Sequence, residues 1–144
     1  MDKVYNKVEI IERLNSKEVI KFANKHNITT MIMFGSIISN EFNEESDVDL
    51  ALIANKGIEL DNILDMELFM QNLLNREIDI LDLRSEVLDL FVKINILNTG
   101  KVIYSKDNCK SLNILYDETD KLYKENENFI HFRRVDVLSW IEKD

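Results

Sequence analysis

Gly35-Ser36 is followed, after ten residues, by Asp47-Val48-Asp49 at the head of an apolar run, Leu50-Ala51-Leu52-Ile53-Ala54. In a β-strand residues i and i+2 point to the same face, so this spacing predicts two carboxylates projecting together while their neighbours are buried. Adjacent anions on a buried strand are costly, because each raises the other's pKa and desolvation penalises both. A divalent cation removes that cost. A third acid sits in Glu77-Ile78-Asp79-Ile80-Leu81-Asp82-Leu83, where period-2 alternation puts Asp79 on one face with Glu77, Leu81 and Leu83. If this strand pairs beside the first, Asp47, Asp49 and Asp79 form a cluster able to hold two Mg²⁺ ions through hard oxygen ligands.

The Gly-Ser pair supplies what a metal-bound polyphosphate needs. Residues 29–34 read as a strand, and Gly35 can take the positive φ or the close backbone approach that a sharp exit requires. Ser36 is expected to be the N-cap of a short helix over 37–42, whose free N–H groups and hydroxyl form an anion site.

The elements that must position these residues alternate between α and β. Apolar spacing predicts a helix over 4–25 with an exit turn at His26-Asn27, strands near 29–34 and 47–54, and a helix over 59–75 leading into a strand at 78–82. Ser85 is expected to cap a helix running to about Asn98, Thr99-Gly100 to turn into a strand at 101–104, and residues 111–141 to be helical. The expected organisation is one domain, with a core over 1–105 and a helical C-terminal extension over 106–144 packed on it.

The chain has 144 residues, enough to bury roughly 68–70% of its unfolded surface without a staple. Its single cysteine, Cys109, excludes an intramolecular disulfide, and no run approaches a membrane span or a signal peptide, so a cytoplasmic location is expected. With 27 acidic against 18 basic residues the net charge is −9, which opposes direct binding to a nucleic-acid backbone and suits a basic protein partner.

Gly35-Ser36, Asp47-Val48-Asp49 and Ile78-Asp79-Ile80 resemble the signature of the polymerase-β-type nucleotidyltransferases, and the short chain resembles their minimal (MNT) branch. Four fixed residues at this spacing arise by chance on the order of 10⁻³ times in a chain this long. The resemblance implies an α/β fold with a small mixed sheet flanked by helices and a helical C-terminal segment. It further implies AMP transfer from ATP to a tyrosine hydroxyl of a cognate HEPN-domain RNase toxin, with the chain as antitoxin. Asp47 and Asp49 would hold the nucleotide-side Mg²⁺ and share a second ion with Asp79, the general base, while Gly35 and Ser36 grip the β- and γ-phosphates. Relatives often carry Ala-Arg-Gly shortly after Gly-Ser, where this chain has Ile38-Ser39-Asn40. The missing arginine and the acidic surface point to one alternative, an antitoxin acting by contact alone, and antibiotic-modifying relatives to another, transfer to a small molecule.

Other candidates read as structural. His26 and His131 have no ligand-spaced partners, Cys109 has no nearby histidine, and Asp82 and Glu45 read as turn formers or solvated charges. A calcium loop at Asp47 fails for want of an oxygen side chain at Ala51. Phe129, Phe132, Arg133, Arg134 and Trp140 could pack on the core or anchor a partner.

Overall fold

The computed structural model describes residues 4–125. Two helices open it, α1 (Lys7–Leu14) and α2 (Lys17–Lys25), followed by β1 (Ile28–Phe34), a single 3₁₀ turn (Gly35–Ile38) and β2 (Val48–Ala54). Then come α3 (Leu60–Leu74), β3 (Ile78–Asp82), α4 (Leu90–Thr99), β4 (Lys101–Ser105) and α5 (Lys110–Glu125).

One helix was expected over 4–25, and two are found. The apolar rhythm runs unbroken through the junction, but Ser16 accepts from Val19 N–H at 3.4 Å and restarts the helix, while Asn15 ends the one before. His26 and Asn27 do form the exit turn, with Asn27 at φ +58°. Helix α4 starts at an Asp89 cap rather than at Ser85. The Asp89 carboxylate accepts from Phe91 and Val92 N–H, whereas Ser85 lies in a turn fastened by Asp82, which accepts from Arg84 N–H at 2.9 Å. Asp82 is thus a turn former.

The four strands lie in the order β3-β2-β1-β4. Strand β1 is antiparallel to both β2 and β4, and β2 runs parallel to β3, so the sheet is mixed. Alternate residues divide its faces. Met31, Met33, Val48, Leu50, Leu52, Ile78 and Ile80 pack with Ile10, Leu14, Val19, Met66, Met70 and Leu74 of the first three helices. Ile32, Ala51, Ile53 and Leu83 pack on the other face with Ile96 of α4 and Leu115 of α5. Both faces of β2 are therefore covered, which explains why its sequence is a continuous apolar run after Asp49. No helix among the described residues is long and apolar enough to cross a membrane. Phe129, His131, Phe132, Arg133, Arg134 and Trp140, with the end of the expected C-terminal helix, lie outside the described residues.

Candidate active site

The parallel register of β2 and β3 sets Asp49 directly opposite Asp79. Both have odd parity on strands whose other odd residues, Ala51, Ile53 and Leu81, belong to the face under α4 and α5. Their side chains leave that face at its uncovered end, with Asp49 half-buried and Asp79 exposed. Asp47 immediately precedes β2, at the point where Val48 N–H donates to Glu77 C=O at 3.0 Å and the ladder with β3 begins.

The charges interact as their placement requires. Burial, then the Asp79 and Asp47 carboxylates, push the Asp49 pKa up to about 6, and a hydrogen bond from Asp79 adds to the rise. Two carboxyl groups can form that bond only by sharing a proton. Asp47 acts on Asp49 through its charge, and Asp79 through charge and contact.

On the other side of Asp49 stands Gly35. Strand pairing sets Phe34 opposite Asp49, and the chain then turns at Gly35 with φ +77°. A Cβ at Gly35 would collide with the Asp49 carboxylate, so glycine is required twice over, for its φ and for this approach. Ser36 is not the N-cap that was expected. It lies inside the 3₁₀ turn, whose N-cap is Phe34, and its carbonyl accepts from the Ser39 N–H and hydroxyl at 2.9 Å. That closure at Ser39, whose backbone is extended, stops the helix after one turn instead of carrying it to Phe42.

Arg76 is the residue that sequence reasoning missed. Its Nη1 donates to the carbonyls of Asn43 and Ser46, both at 2.7 Å, and Nη2 donates to Tyr5 C=O at 2.9 Å. Its guanidinium also stacks over Phe42, 4.4 Å from the ring centroid. The acidic turn before Asp47 is thereby fastened to the residue that leads into β3. No periodicity marks such a residue. An arginine beside a strand looks like any solvated charge until the chain 71 residues upstream folds onto it.

The site's donors are carboxylate oxygens, the class that Mg²⁺ prefers, beside a backbone cradle that a Cβ would fill. In kind, Asp47, Asp49 and Asp79 fit the ion. Among the described residues no group of three or more Asp, Glu, His or Cys side chains is arranged to hold one ion. His26 meets the Phe22 ring at a tilt, with centroids 4.5 Å apart, and serves as the C-cap of α2, and Cys109 is a free thiol in the turn before α5.

A strand, a glycine turn, an acid-bearing strand and a parallel neighbour carrying a third acid are the parts of a nucleotidyl-transfer fold. The family model for polymerase beta nucleotidyltransferases matches residues 17–109, and the chain belongs to that family. Its fold is shared with a chain of a toxin-antitoxin complex with AMP-PNP, at 18% identity and a TM-score of 0.67, covering 93% of this chain and 99% of that one. A structure described as tri-AMPylated Shewanella oneidensis HEPN toxin in complex with MNT antitoxin matches at 18% identity and a TM-score of 0.63, covering 88% and 98%. A MntA-HepT toxin-antitoxin structure matches at 19% identity and 0.62, with the same coverage. No curated protein sequence matches the chain.

Proposed function

We propose that this chain is a Mg²⁺-dependent nucleotidyltransferase antitoxin that moves AMP from ATP to a tyrosine hydroxyl of a cognate HEPN-domain RNase toxin. The observation that carries the reading is Asp49, held between Asp79 and the Gly35 backbone with its pKa raised to about 6. A site that stores like charge at the mouth of a glycine turn suits a cation-bound triphosphate. The AMP-PNP complex and the AMPylated toxin among the similar folds support the same chemistry.

In this reading the Gly35-Ser36 turn would orient the β- and γ-phosphates, and Asp47, Asp49 and Asp79 would hold Mg²⁺ against them. Bound Mg²⁺ supplies charge neutralisation and lowers the pKa of the acceptor hydroxyl. The tyrosine oxygen forms a bond to the α-phosphorus, the α–β phosphoanhydride bond breaks, and pyrophosphate leaves with the electron pair. Asp79 takes the hydroxyl proton and, being exposed, returns it to water. Positioning and charge neutralisation supply most of the rate.

Ser39 and Asn40, which stand where relatives often carry Arg-Gly, line a cleft of about 410 Å³ together with the cations Arg76 and Lys7. Arg76 is fastened there to the carbonyls of Asn43, Ser46 and Tyr5.

The test incubates the purified protein with α-labelled ATP, Mg²⁺ and the product of the neighbouring toxin-sized gene. Label on a toxin tyrosine, located by mass spectrometry and absent with Asp49→Asn, is the expected result. A toxin silenced without label would establish neutralisation by contact alone, the second reading that Ser39 favours. Label appearing only on small hydroxylated acceptors would move the substrate to the third.

A further inference from the structure

Helix α3 carries two apolar stripes, and among the described residues only one of them is packed in the core. Met66, Met70 and Leu74 are buried in the core at 0–1% exposure, whereas Leu60, Leu64 and Leu68 are 69%, 49% and 58% exposed. At about 100° per residue the exposed leucines span about 80° of the helix, centred about 120° from the buried stripe. Three leucines at i, i+4 and i+8 form a continuous ridge of the kind that helix-in-groove recognition uses. An isolated exposed leucine needs no explanation, but a ridge does.

The flanks of the ridge select its occupant. Helix α3 contains Asp61, Asp65 and Glu67, its N-cap is Glu59, and it has no lysine or arginine. Asp61 and Asp65 border one side of the leucines and Glu67 the other. A second copy docking here would set these acids against their own image in a desolvated interface, which costs free energy. A groove lined by aliphatic side chains and rimmed by lysine or arginine meets both demands.

The ridge also lies at a useful edge. Strand β3 ends the sheet, and Glu67 crosses to it, its carboxylate accepting from Ile80 N–H at 3.1 Å. Ile80 follows Asp79. Ridge and carboxylates occupy opposite faces of the sheet, and this edge is where a partner can reach both.

We propose that Leu60, Leu64 and Leu68 form the docking ridge for the partner protein, which presents an apolar groove with a basic rim and wraps the β3 edge to bring its acceptor hydroxyl to Asp79. The inference rests on the partner reading above. The test titrates the purified toxin encoded beside this chain into three forms of the full chain: wild type, the triple variant Leu60→Ser, Leu64→Ser, Leu68→Ser, and Asp61→Asn with Asp65→Asn. The triple variant should weaken binding at least tenfold while ATP binding and the thermal melt stay unchanged, because none of the three leucines is in the core. The aspartate variant should weaken binding about threefold and flatten its salt dependence. Leu60→Ser alone, at the most exposed position, carries the test should the triple variant melt early. Wild-type affinity in the leucine variants overturns the ridge and leaves the toxin reading standing. A wild-type chain that does not bind the toxin overturns both. A wild type that sediments as a dimer, with the triple variant a monomer, overturns the proposal in favour of a second copy.

Discussion

Arg76 and the Asp47–Asp49–Asp79 cluster flank the same acidic turn and solve the problem of charge in opposite ways. Arg76 donates to three backbone carbonyls and rests on an aromatic ring, so its charge is spread over fixed dipoles inside the chain. The carboxylates repel one another, and burial together with that repulsion makes Asp49 hold its proton up to about pH 6. The fold answers most of Arg76, whose Nε alone is buried without a partner among the described residues, and it leaves the carboxylates repelling one another. A charge that the chain satisfies is built for structure, and a charge that the chain leaves repelling its neighbours is built for binding.

The contrast breaks first if the acids prove structural. Asp47→Asn with Asp49→Asn should reduce nucleotidyl transfer more than a hundredfold in the labelled-ATP assay. The same variant should raise the apo-protein's stability at pH 7.5 by on the order of 1 kcal/mol, allowing for screening at a half-exposed site. A loss of stability on denaturant titration would show that the fold, too, depends on these charges. Arg76→Met should act with the opposite sign. Three charge-assisted hydrogen bonds disappear and three carbonyls lose a donor, so urea unfolding should show a loss of about 2 kcal/mol. Transfer should fall as well, through the position of Asp47.

Gly35→Val sharpens the comparison at the boundary between the two regions. The side chain would meet the Asp49 carboxylate and oppose φ +77°, so ATP affinity by calorimetry should drop at least tenfold, about 1.4 kcal/mol. Equal affinity would place the phosphates elsewhere.

Stability against pH gives the smallest effect. Because the folded-state pKa of Asp49 is raised from 3.8 to about 6, the folded chain holds a proton that the unfolded chain has released between those values. That contribution is complete below pH 3.8 and is lost as pH rises to about 6, on the order of 1 kcal/mol after screening. Asp49→Asn should remove this slope from melts recorded between pH 4 and pH 7, and an unchanged slope would assign the titration to another group.

The sequence made the strands and the acid spacing legible because both depend on period-2 order within a few residues. Strands β1 to β4 and helix α3 fall within about two residues of where apolar rhythm puts them, and Asp79 faces Asp49 as its parity requires. What escaped depends on local chemistry or on distance. Ser16 and Asp89 cap helices that apolar spacing alone would start elsewhere, and Ser39 cuts a helix to one turn with its own hydrogen bonds. Arg76 joins residues 5, 43, 46 and 76, a closure that no window of sequence contains.

Among the described residues strand β3 has a neighbour on one side only. It joins β2 through the 15-residue helix α3, so Asp49 and Asp79 meet only after that crossover closes. Edge strands open more readily than central ones, and their amides exchange with solvent at a lower free-energy cost. An excursion that peels β3 from β2 would separate the acids while β1, β2 and β4 stay paired. The lifetime of the site is then the lifetime of its edge. Anything that lies along that edge lengthens it, so a docked partner would slow amide exchange at Asp79 and Leu81, whose N–H groups face β2, and would hold assembled the very site that acts upon it.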